Sequence, residues 1–176
     1  MITSKTFILV PARLGSERID KKMIRKFSDG TTVIGRTIEQ CKKTNIETLL
    51  VTDSKEISRE VRLPEKNIFI EKRGNSGTER ISYFLNSHNH KINDEDYCLI
   101  ILGDQPEIEV ELIELIQEKV QNIEDLDDVN GLTLHFKSNN LEDYLGTKNC
   151  KMIIGKENTV YYISRSPIPG FKNIED

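Results

Sequence analysis

A basic loop around a single glycine is the part of the sequence best suited to chemistry. The apolar run FILV opens directly into PARLGSERIDKKM, residues 11–23. Glycine lets backbone N–H groups approach an anion, and arginine offers forked donors that match phosphate oxygens. We therefore predict that Arg13, Gly15, Arg18 and Lys22 bind phosphate groups and stabilise the charge on a leaving pyrophosphate. The alternative is a solvated basic loop that forms surface ion pairs.

A carboxylate in the segment Gly103-Asp104-Gln105-Pro106 is the second candidate. It follows the apolar run 97–102, which is predicted to be the most buried strand. A carboxylate in such a place is costly unless it is paired or bound to a metal. Magnesium favours oxygen ligands and often combines one or two carboxylates with substrate phosphates. Asp104 is therefore predicted to be a catalytic Mg²⁺ ligand. The alternative is that Asp104 is a turn residue whose carboxylate accepts hydrogen bonds from backbone N–H groups.

The segment RGNSGTER, residues 73–80, combines a loop with the start of a helix. Ser76 and Glu79 have the spacing of a capping box. Helix N-termini bind anions and polar ligand edges, so this segment is predicted to contact a ligand. Simple capping is the alternative, and the two roles can coexist.

Side chains that would act as nucleophiles or build a zinc site are missing from the pattern. His88 and His90 lie in a polar turn that predicts solvent exposure, and His135 lies in a predicted strand. The three cysteines are far apart and embedded in apolar patterns, which is typical of reduced, mostly buried thiols in a cytoplasmic protein. An enzyme with this sequence would work by positioning and metal electrostatics.

Composition narrows the class of ligand. The chain has 176 residues, 36% of them hydrophobic and 31% charged, and a net charge of -4. These values predict one soluble domain over residues 1–176, and an acidic chain is a poor candidate for nucleic-acid binding. Neither a membrane span nor a signal peptide is expected, so a cytoplasmic location is predicted. A basic loop inside an acidic protein indicates a small anionic ligand.

Alternating strands and helices must position these clusters. The pattern predicts an α/β fold of three layers, with a mainly parallel twisted sheet and helices on both faces. Parallel strands gather their following loops at one edge, where ligands bind in open α/β sheets. The predicted strands are 6–10, 48–52, 67–71, 97–102, 129–136, 152–154 and 160–163, and the predicted helices are 33–44, 54–61, 78–88 and 109–121.

Several segments taken together resemble the CMP-sugar-acid synthetases, and most of all the 3-deoxy-manno-octulosonate (KDO) cytidylyltransferases. The resemblance covers essentially the whole chain and is consistent with a nucleotide-diphospho-sugar transferase-like, Rossmann-like fold. Each segment is weak alone, but their order and approximate spacing agree with the family. The segments are PARLGSER at 11–18, SGTER at 76–80, GDQP at 103–106 and YYISRSPIP at 161–169, with a fifth at 148–154.

The resemblance implies an enzyme that joins CTP to the anomeric hydroxyl of an eight-carbon sugar acid. It would release pyrophosphate and make an activated CMP-sugar for surface polysaccharide synthesis, including lipopolysaccharide. Arg13, Arg18 and Lys22 match the triphosphate positions, and Asp104 matches a magnesium ligand. Arg73, Ser76 and Thr78 match positions that contact the nucleotide, and Arg165 matches a position on the sugar side. The predicted substrate-binding residues also include Gly15, Ser16, Gly77 and Gln105.

Departures from the family keep other readings open. Leu102 stands where the family usually has a sugar-contacting Gln, Gln105 where Glu is usual, and Asp20-Lys21 where Pro-Gly is usual. The family also continues beyond the last motif, into a second magnesium aspartate and part of a dimer contact. The 176 residues are then either a fragment or a shortened relative. The alternatives are a catalytically impaired nucleotide-binding homologue and a transferase for a different sugar acid, and a homodimer remains open.

Overall fold

The computed structural model describes residues 4–15, 19–87, 90–122 and 131–170. The chain divides into two compact units, Met1–Glu124 and Asp125–Asp176, which are described separately. The single domain expected over 1–176 stays a prediction. Among the described residues, no helix is both long enough and apolar enough to cross a bilayer.

The first unit is built on a four-stranded sheet in which every neighbouring pair is parallel. The strand order is β3-β2-β1-β4, so β1 lies between β2 and β4. Its apolar core positions are rich in isoleucine, leucine and valine, as expected for strands covered on both faces. The strands are β1 (Thr6–Ala12), β2 (Glu47–Thr52), β3 (Ile68–Ile70) and β4 (Tyr97–Ile100).

Among the described residues of this unit, four α-helices alternate with the strands, and three of them begin directly after a capping Ser or Thr. Thr32, Ser54 and Ser76 each cap a helix, because their side-chain oxygens accept a hydrogen bond from a backbone N–H of the first turn. The helices are α1 (Val33–Lys43), α2 (Lys55–Arg59), α3 (Gly77–Leu85) and α4 (Val110–Gln121).

Strand β1 sends alternate side chains into two separate cores. Ile8 and Val10 belong to a cluster that includes buried side chains of α1, α2 and α4. Phe7 and Leu9 belong to the other cluster, with Ile81 and Phe84 of α3. Helices therefore cover both faces of the sheet, and the predicted three-layer α/β fold is confirmed.

The expectation that 97–102 is the most buried strand is wrong. Strand β4 is at one end of the sheet order, and of its four residues only Leu99 is buried. Ile100 and Leu102 are each 49% exposed. Strands β1 and β2 are the buried ones, and each has a hydrogen-bonded neighbour on both sides.

The second unit contains a short helix and an antiparallel strand pair. These are α5 (Leu141–Leu145), β5 (Lys151–Ile154) and β6 (Val160–Ser164). The strands predicted at 152–154 and 160–163 are confirmed. Residues 131–136 form no strand, so the strand predicted at 129–136 is wrong there, and 129–130 lie outside the described residues.

A side chain added at Gly103 is predicted to destabilise the fold. A Cβ at this position would lie 2.8 Å from Ile34 Cδ1 and 3.2 Å from both Ala12 Cβ and the Pro11 carbonyl oxygen. Overpacking of this kind costs about 1–3 kcal/mol, so Gly103→Ala should lower the free energy of unfolding by that amount in a denaturant titration.

The matched control is Gly131→Ala, where an added Cβ would meet none of the described atoms within 4 Å. Its free energy of unfolding should change by less than about 0.5 kcal/mol. Equal stability of Gly103→Ala and the unmodified protein would contradict the close packing described for Gly103.

Candidate active site

The loops that follow β1, β2 and β4 meet at the carboxyl edge of the sheet. Pairing with β1 continues past the end of β4, since Ile101 N–H donates to the Leu9 carbonyl (3.0 Å) and Gly103 N–H to the Pro11 carbonyl (3.2 Å). Asp104 is thereby held beside the start of the basic loop.

Lys22 and Asp104 form the centre of this edge. Lys22 Nζ lies 2.7 Å from Asp104 Oδ2, and the two side chains are 36% and 32% exposed. The predicted phosphate-binding cation and the predicted metal ligand are thus in direct contact, although 82 residues separate them in sequence. Both remain accessible to a ligand from solvent.

Buried Thr37 of α1 supports the backbone that carries Asp104. Its hydroxyl lies 3.0 Å from the Gly103 carbonyl oxygen and 3.1 Å from the Val33 carbonyl oxygen, within hydrogen-bonding distance of both. Gln105 closes the same turn, because its Oε1 accepts a hydrogen bond from Leu102 N–H at 3.1 Å. The role of Gln105 in substrate binding stays a prediction.

The basic loop is bonded to its neighbours through both backbone and side chain. Leu14 N–H donates to Asp53 Oδ1 at 2.9 Å, and Arg13 Nη1 donates to the Asn75 carbonyl at 3.2 Å. A Cβ added at Gly15 would meet none of the described atoms within 4 Å, so its lack of a side chain is not required by packing. Ser16 and Arg18, both predicted ligand contacts, lie outside the described residues.

The N-terminus of α3 lies against this loop. Ser76 Oγ accepts from Glu79 N–H at 3.1 Å, which confirms the predicted cap. Glu79 Oε2 accepts from Asn75 N–H at 2.7 Å, one residue before the partner that a capping box uses. A Cβ at Gly77 would lie 3.3 Å from Pro11 Cγ, and Thr78 is exposed in the first turn.

Arg73 is engaged by its own loop. Its Nε and Nη2 donate to the two carboxylate oxygens of Glu71 at 2.9 and 2.6 Å, and its guanidinium lies 4.8 Å from the centre of the Tyr83 ring. The hydrogen bonds from Arg73 are the main cause that lowers the pKa of Glu71 to about 2. The predicted contact of Arg73 with a nucleotide stays a prediction.

Arg165 belongs to the second unit. It is exposed, and its Nη1 donates to the carbonyls of Thr147 and Lys148 at 3.1 and 2.8 Å. These bonds tie the residues before β5 to the end of β6. The sugar-side role implied for Arg165 stays a prediction.

Two charged residues at the sheet edge were not among the individually predicted site residues, although Arg80 lies in the segment 73–80 that was predicted to contact a ligand. Arg80 is 3% exposed and contacts Asp53, the first residue after β2, at 3.4 Å. A sequence signal for Arg80 was present, because it lies one residue before Ile81 and four before Phe84, on the buried face of α3. That spacing predicts a buried arginine, which needs an acidic or carbonyl partner.

Histidine and cysteine play no visible catalytic part among the described residues. His90 is not a freely solvated side chain, since one ring nitrogen bonds the Leu85 carbonyl (2.7 Å) and the other accepts from Ile92 N–H (3.2 Å). Burial raises the pKa of the Cys41 thiol to about 12, which makes it unreactive, whereas Cys150 is exposed rather than buried. His88 lies outside the described residues. Within the described ranges, no three His, Cys, Asp or Glu side chains cluster as metal ligands.

A sequence-family model matches almost the whole chain. The model described as "Cytidylyltransferase" matches residues 7–175. A 3-deoxy-manno-octulosonate cytidylyltransferase of Fusobacterium nucleatum subsp. nucleatum is 32% identical over 163 residues, and one of Francisella tularensis subsp. tularensis is 31% identical over 164. Each alignment covers 92% of this chain, and the chain spans 63% of the length of each relative.

Solved structures share the fold. A CMP:2-keto-3-deoxy-manno-octonic acid synthetase complexed with CTP matches with a TM-score of 0.71 at 21% identity, covering 98% of this chain and 68% of that one. A cytidylyltransferase from Leptospira borgpetersenii serovar Hardjo-bovis matches with a TM-score of 0.52 at 24% identity, covering 69% and 51%. These likenesses confirm the predicted fold class.

The Glu71–Arg73 pair should make stability depend on pH in the acid range. Because folding lowers the pKa of Glu71 from 4.5 to about 2, the carboxylate stabilises the fold above pH 4.5, and this stabilisation is lost as the pH falls towards 2. Glu71→Gln should therefore be less stable than the unmodified protein near neutral pH.

The difference in free energy of unfolding should shrink steadily as the pH falls from 4.5 towards 2. Denaturant titrations of both proteins across this range measure it. A difference that stays constant with pH would show that ionisation of Glu71 does not stabilise the folded chain.

Proposed function

The chain belongs to the cytidylyltransferase family, and from this we propose that the protein joins CTP to a KDO-type sugar acid. The anomeric hydroxyl oxygen of the sugar would attack the α-phosphorus of CTP, and the hydroxyl proton would pass to water. The bond from the α-phosphorus to its bridging oxygen would break, releasing pyrophosphate. The contact between Lys22 Nζ and Asp104 Oδ2 carries the proposal, because it joins a phosphate-type cation and a metal-type carboxylate at 2.7 Å.

The basic loop supplies the means to hold a triphosphate. Arg13 and Lys22 lie on either side of Gly15, at the carboxyl end of β1. Phosphoryl-type transfer needs alignment and charge stabilisation more than a covalent intermediate. In this proposal Arg13 and Lys22 neutralise the β- and γ-phosphates, and Ser16 and Arg18 complete the loop.

The donor chemistry of Asp104 fits magnesium. The side chain is partly exposed, carries two oxygens and projects from a turn held by Thr37 and Gln105. Magnesium often binds through one carboxylate together with substrate phosphates, so Asp104 would hold it jointly with CTP. Bound there, the ion would withdraw charge from the reacting phosphates. Lys22 would then exchange its partner, from the carboxylate to a phosphate oxygen.

The choice of sugar acid is supported by the names of the relatives and not by a pocket among the described residues. Both curated relatives are named for 3-deoxy-manno-octulosonate. In the proposal Arg165 contacts the sugar acid, a role that the resemblance implies. Because the chain spans 63% of those relatives, the activity is proposed for the whole protein.

Asp104→Asn tests the proposal in the full product of the reading frame. With CTP, Mg²⁺ and KDO, the unmodified protein should release pyrophosphate, and Asp104→Asn should lower kcat on the order of 100-fold or more. Glu107→Gln removes one charge from an exposed side chain of the same segment and should keep kcat within about twofold.

The outcomes separate the candidate functions. CTP binding without pyrophosphate release with any sugar acid would overturn the proposal in favour of a catalytically impaired nucleotide-binding homologue. Release with another sugar acid but not with KDO would replace the acceptor. Unchanged activity in Asp104→Asn would remove Asp104 from the reaction.

Lys22→Gln separates binding from stability. A partly exposed ion pair contributes about 0–1 kcal/mol, so the free energy of unfolding should change little. Loss of a charged hydrogen bond to phosphate should weaken CTP binding roughly 10- to 100-fold in calorimetry with Mg²⁺.

Lys21→Gln is the matched control for this measurement. Lys21 is the neighbouring lysine, and its Nζ bonds Glu56 Oε2 at 3.1 Å. It should keep the CTP affinity of the unmodified protein. Equal affinities of Lys22→Gln and Lys21→Gln would contradict the phosphate-binding role of Lys22.

A further inference from the structure

Arg80 is a buried cation that faces backbone rather than solvent. With 3% of its surface exposed, it donates from Nε to the Glu71 carbonyl at 2.9 Å and from Nη2 to the Gly74 carbonyl at 3.0 Å. Its Nη2 also lies 3.4 Å from Asp53 Oδ2. The guanidinium therefore connects α3, the end of β3 and the carboxylate after β2.

Asp53 extends this connection to the basic loop. One carboxylate oxygen receives Arg80, and the other accepts the hydrogen bond from Leu14 N–H at 2.9 Å. Leu14 lies between Arg13 and Gly15, two of the residues assigned to the triphosphate. A single carboxylate thus joins the buried arginine to the loop that would bind phosphate.

The loop 71–76 is folded closely around Arg80. Gly74 has a φ of +93°, and a Cβ there would lie 2.7 Å from the Arg80 backbone nitrogen. Only glycine takes up this left-handed conformation without strain, and here it also provides the close approach. The next residue, Asn75, accepts Arg13 Nη1 at 3.2 Å, which makes a second link between the same two loops.

We propose that Arg80 and Asp53 are positioning residues that hold the basic loop and loop 71–76 in register for one nucleotide. Neither is a catalytic residue, because the donors of Arg80 and the oxygens of Asp53 are turned towards the protein. Their catalytic consequence rests on the proposed function. Fixing both loops before the ligand arrives removes part of the ordering cost of binding.

The charge of the pair explains why these residue types are used. A buried guanidinium is tolerated when it is paired and hydrogen-bonded, and its planar fork reaches several acceptors at once. Lysine carries the same charge without that fork. Arg80→Lys should therefore keep the charge but loosen the links, and Asp53→Asn should remove the charge that faces Arg80.

Hydrogen exchange of the Leu14 amide tests the links without any nucleotide. Arg80 does not bond to Leu14 directly, so faster exchange there in Arg80→Lys must be transmitted through Asp53 or through the bond between Asn75 and Arg13. We expect at least about tenfold faster exchange at Leu14 and Asn75 in both variants, with unchanged protection of core amides in β1. Asp29→Asn disrupts the exposed Asp29–Arg36 pair and should leave Leu14 exchange unchanged.

Kinetics tests what the links do for the reaction. In Arg80→Lys and Asp53→Asn the KM for CTP should rise roughly 10- to 100-fold, as for other residues that orient ligand-binding groups, while the KM for the sugar acid stays constant. The double variant should be no worse than the more severe single variant, because both remove one coupled unit.

Two results would overturn the proposal. One is an unchanged rate of hydrogen exchange at the Leu14 amide in Arg80→Lys. If Arg80→Lys does not fold, the same measurement is made on the milder variant Asp53→Asn. The other is an equal rise in the KM values of both substrates, which would indicate a general loss of structure. If the unmodified protein does not bind CTP, the proposed function fails, and the exchange measurement still decides whether Arg80 and Asp53 link the loops.

Discussion

The parallel pairing of β1 with β2 and β4 is the constraint on which the candidate site depends. Pairing in register brings Ala12 beside Thr52, and the bonds beyond β4 bring Gly103 beside Pro11. Everything that follows these strands must then emerge at one edge, as in other parallel α/β sheets. Gly103 allows this close approach because it has no side chain, and Ile34 and Ala12 occupy the space that a Cβ would take.

The same edge holds two charge pairs with different tasks. Lys22 and Asp104 remain about one third exposed, so ligands can compete for both partners. Arg80 is buried and turned towards carbonyl groups and Asp53, so it acts on the loops rather than on a ligand. This division explains how a basic loop can be both accessible to a triphosphate and held in place inside an acidic protein.

Local sequence patterns predicted most helices and strands, whereas features that depend on long-range pairing could not be predicted from them. The cap at Ser76 and the apolar run of β1 are local signals, and these elements formed as expected. The apolar composition of β4 did not reveal its place at the end of the sheet order, because order depends on partners. Likewise, residues 131–136 form no strand, since a strand-like local sequence alone supplies no neighbouring strand. The convergence of Lys22 and Asp104 followed from topology, whereas the pairing of Arg73 with Glu71 and of Arg80 with Asp53 required side-chain geometry.

The central claim is that Asp104 and the basic loop together hold the metal and the triphosphate of CTP. It is tested most directly by crystals grown with CTP and Mn²⁺ in place of Mg²⁺, using anomalous scattering to locate the ion. The account predicts a manganese peak about 2 Å from an Asp104 carboxylate oxygen, with Lys22 turned to a phosphate. An ordered CTP whose triphosphate and manganese lie away from both Asp104 and the loop at 11–23 would contradict it.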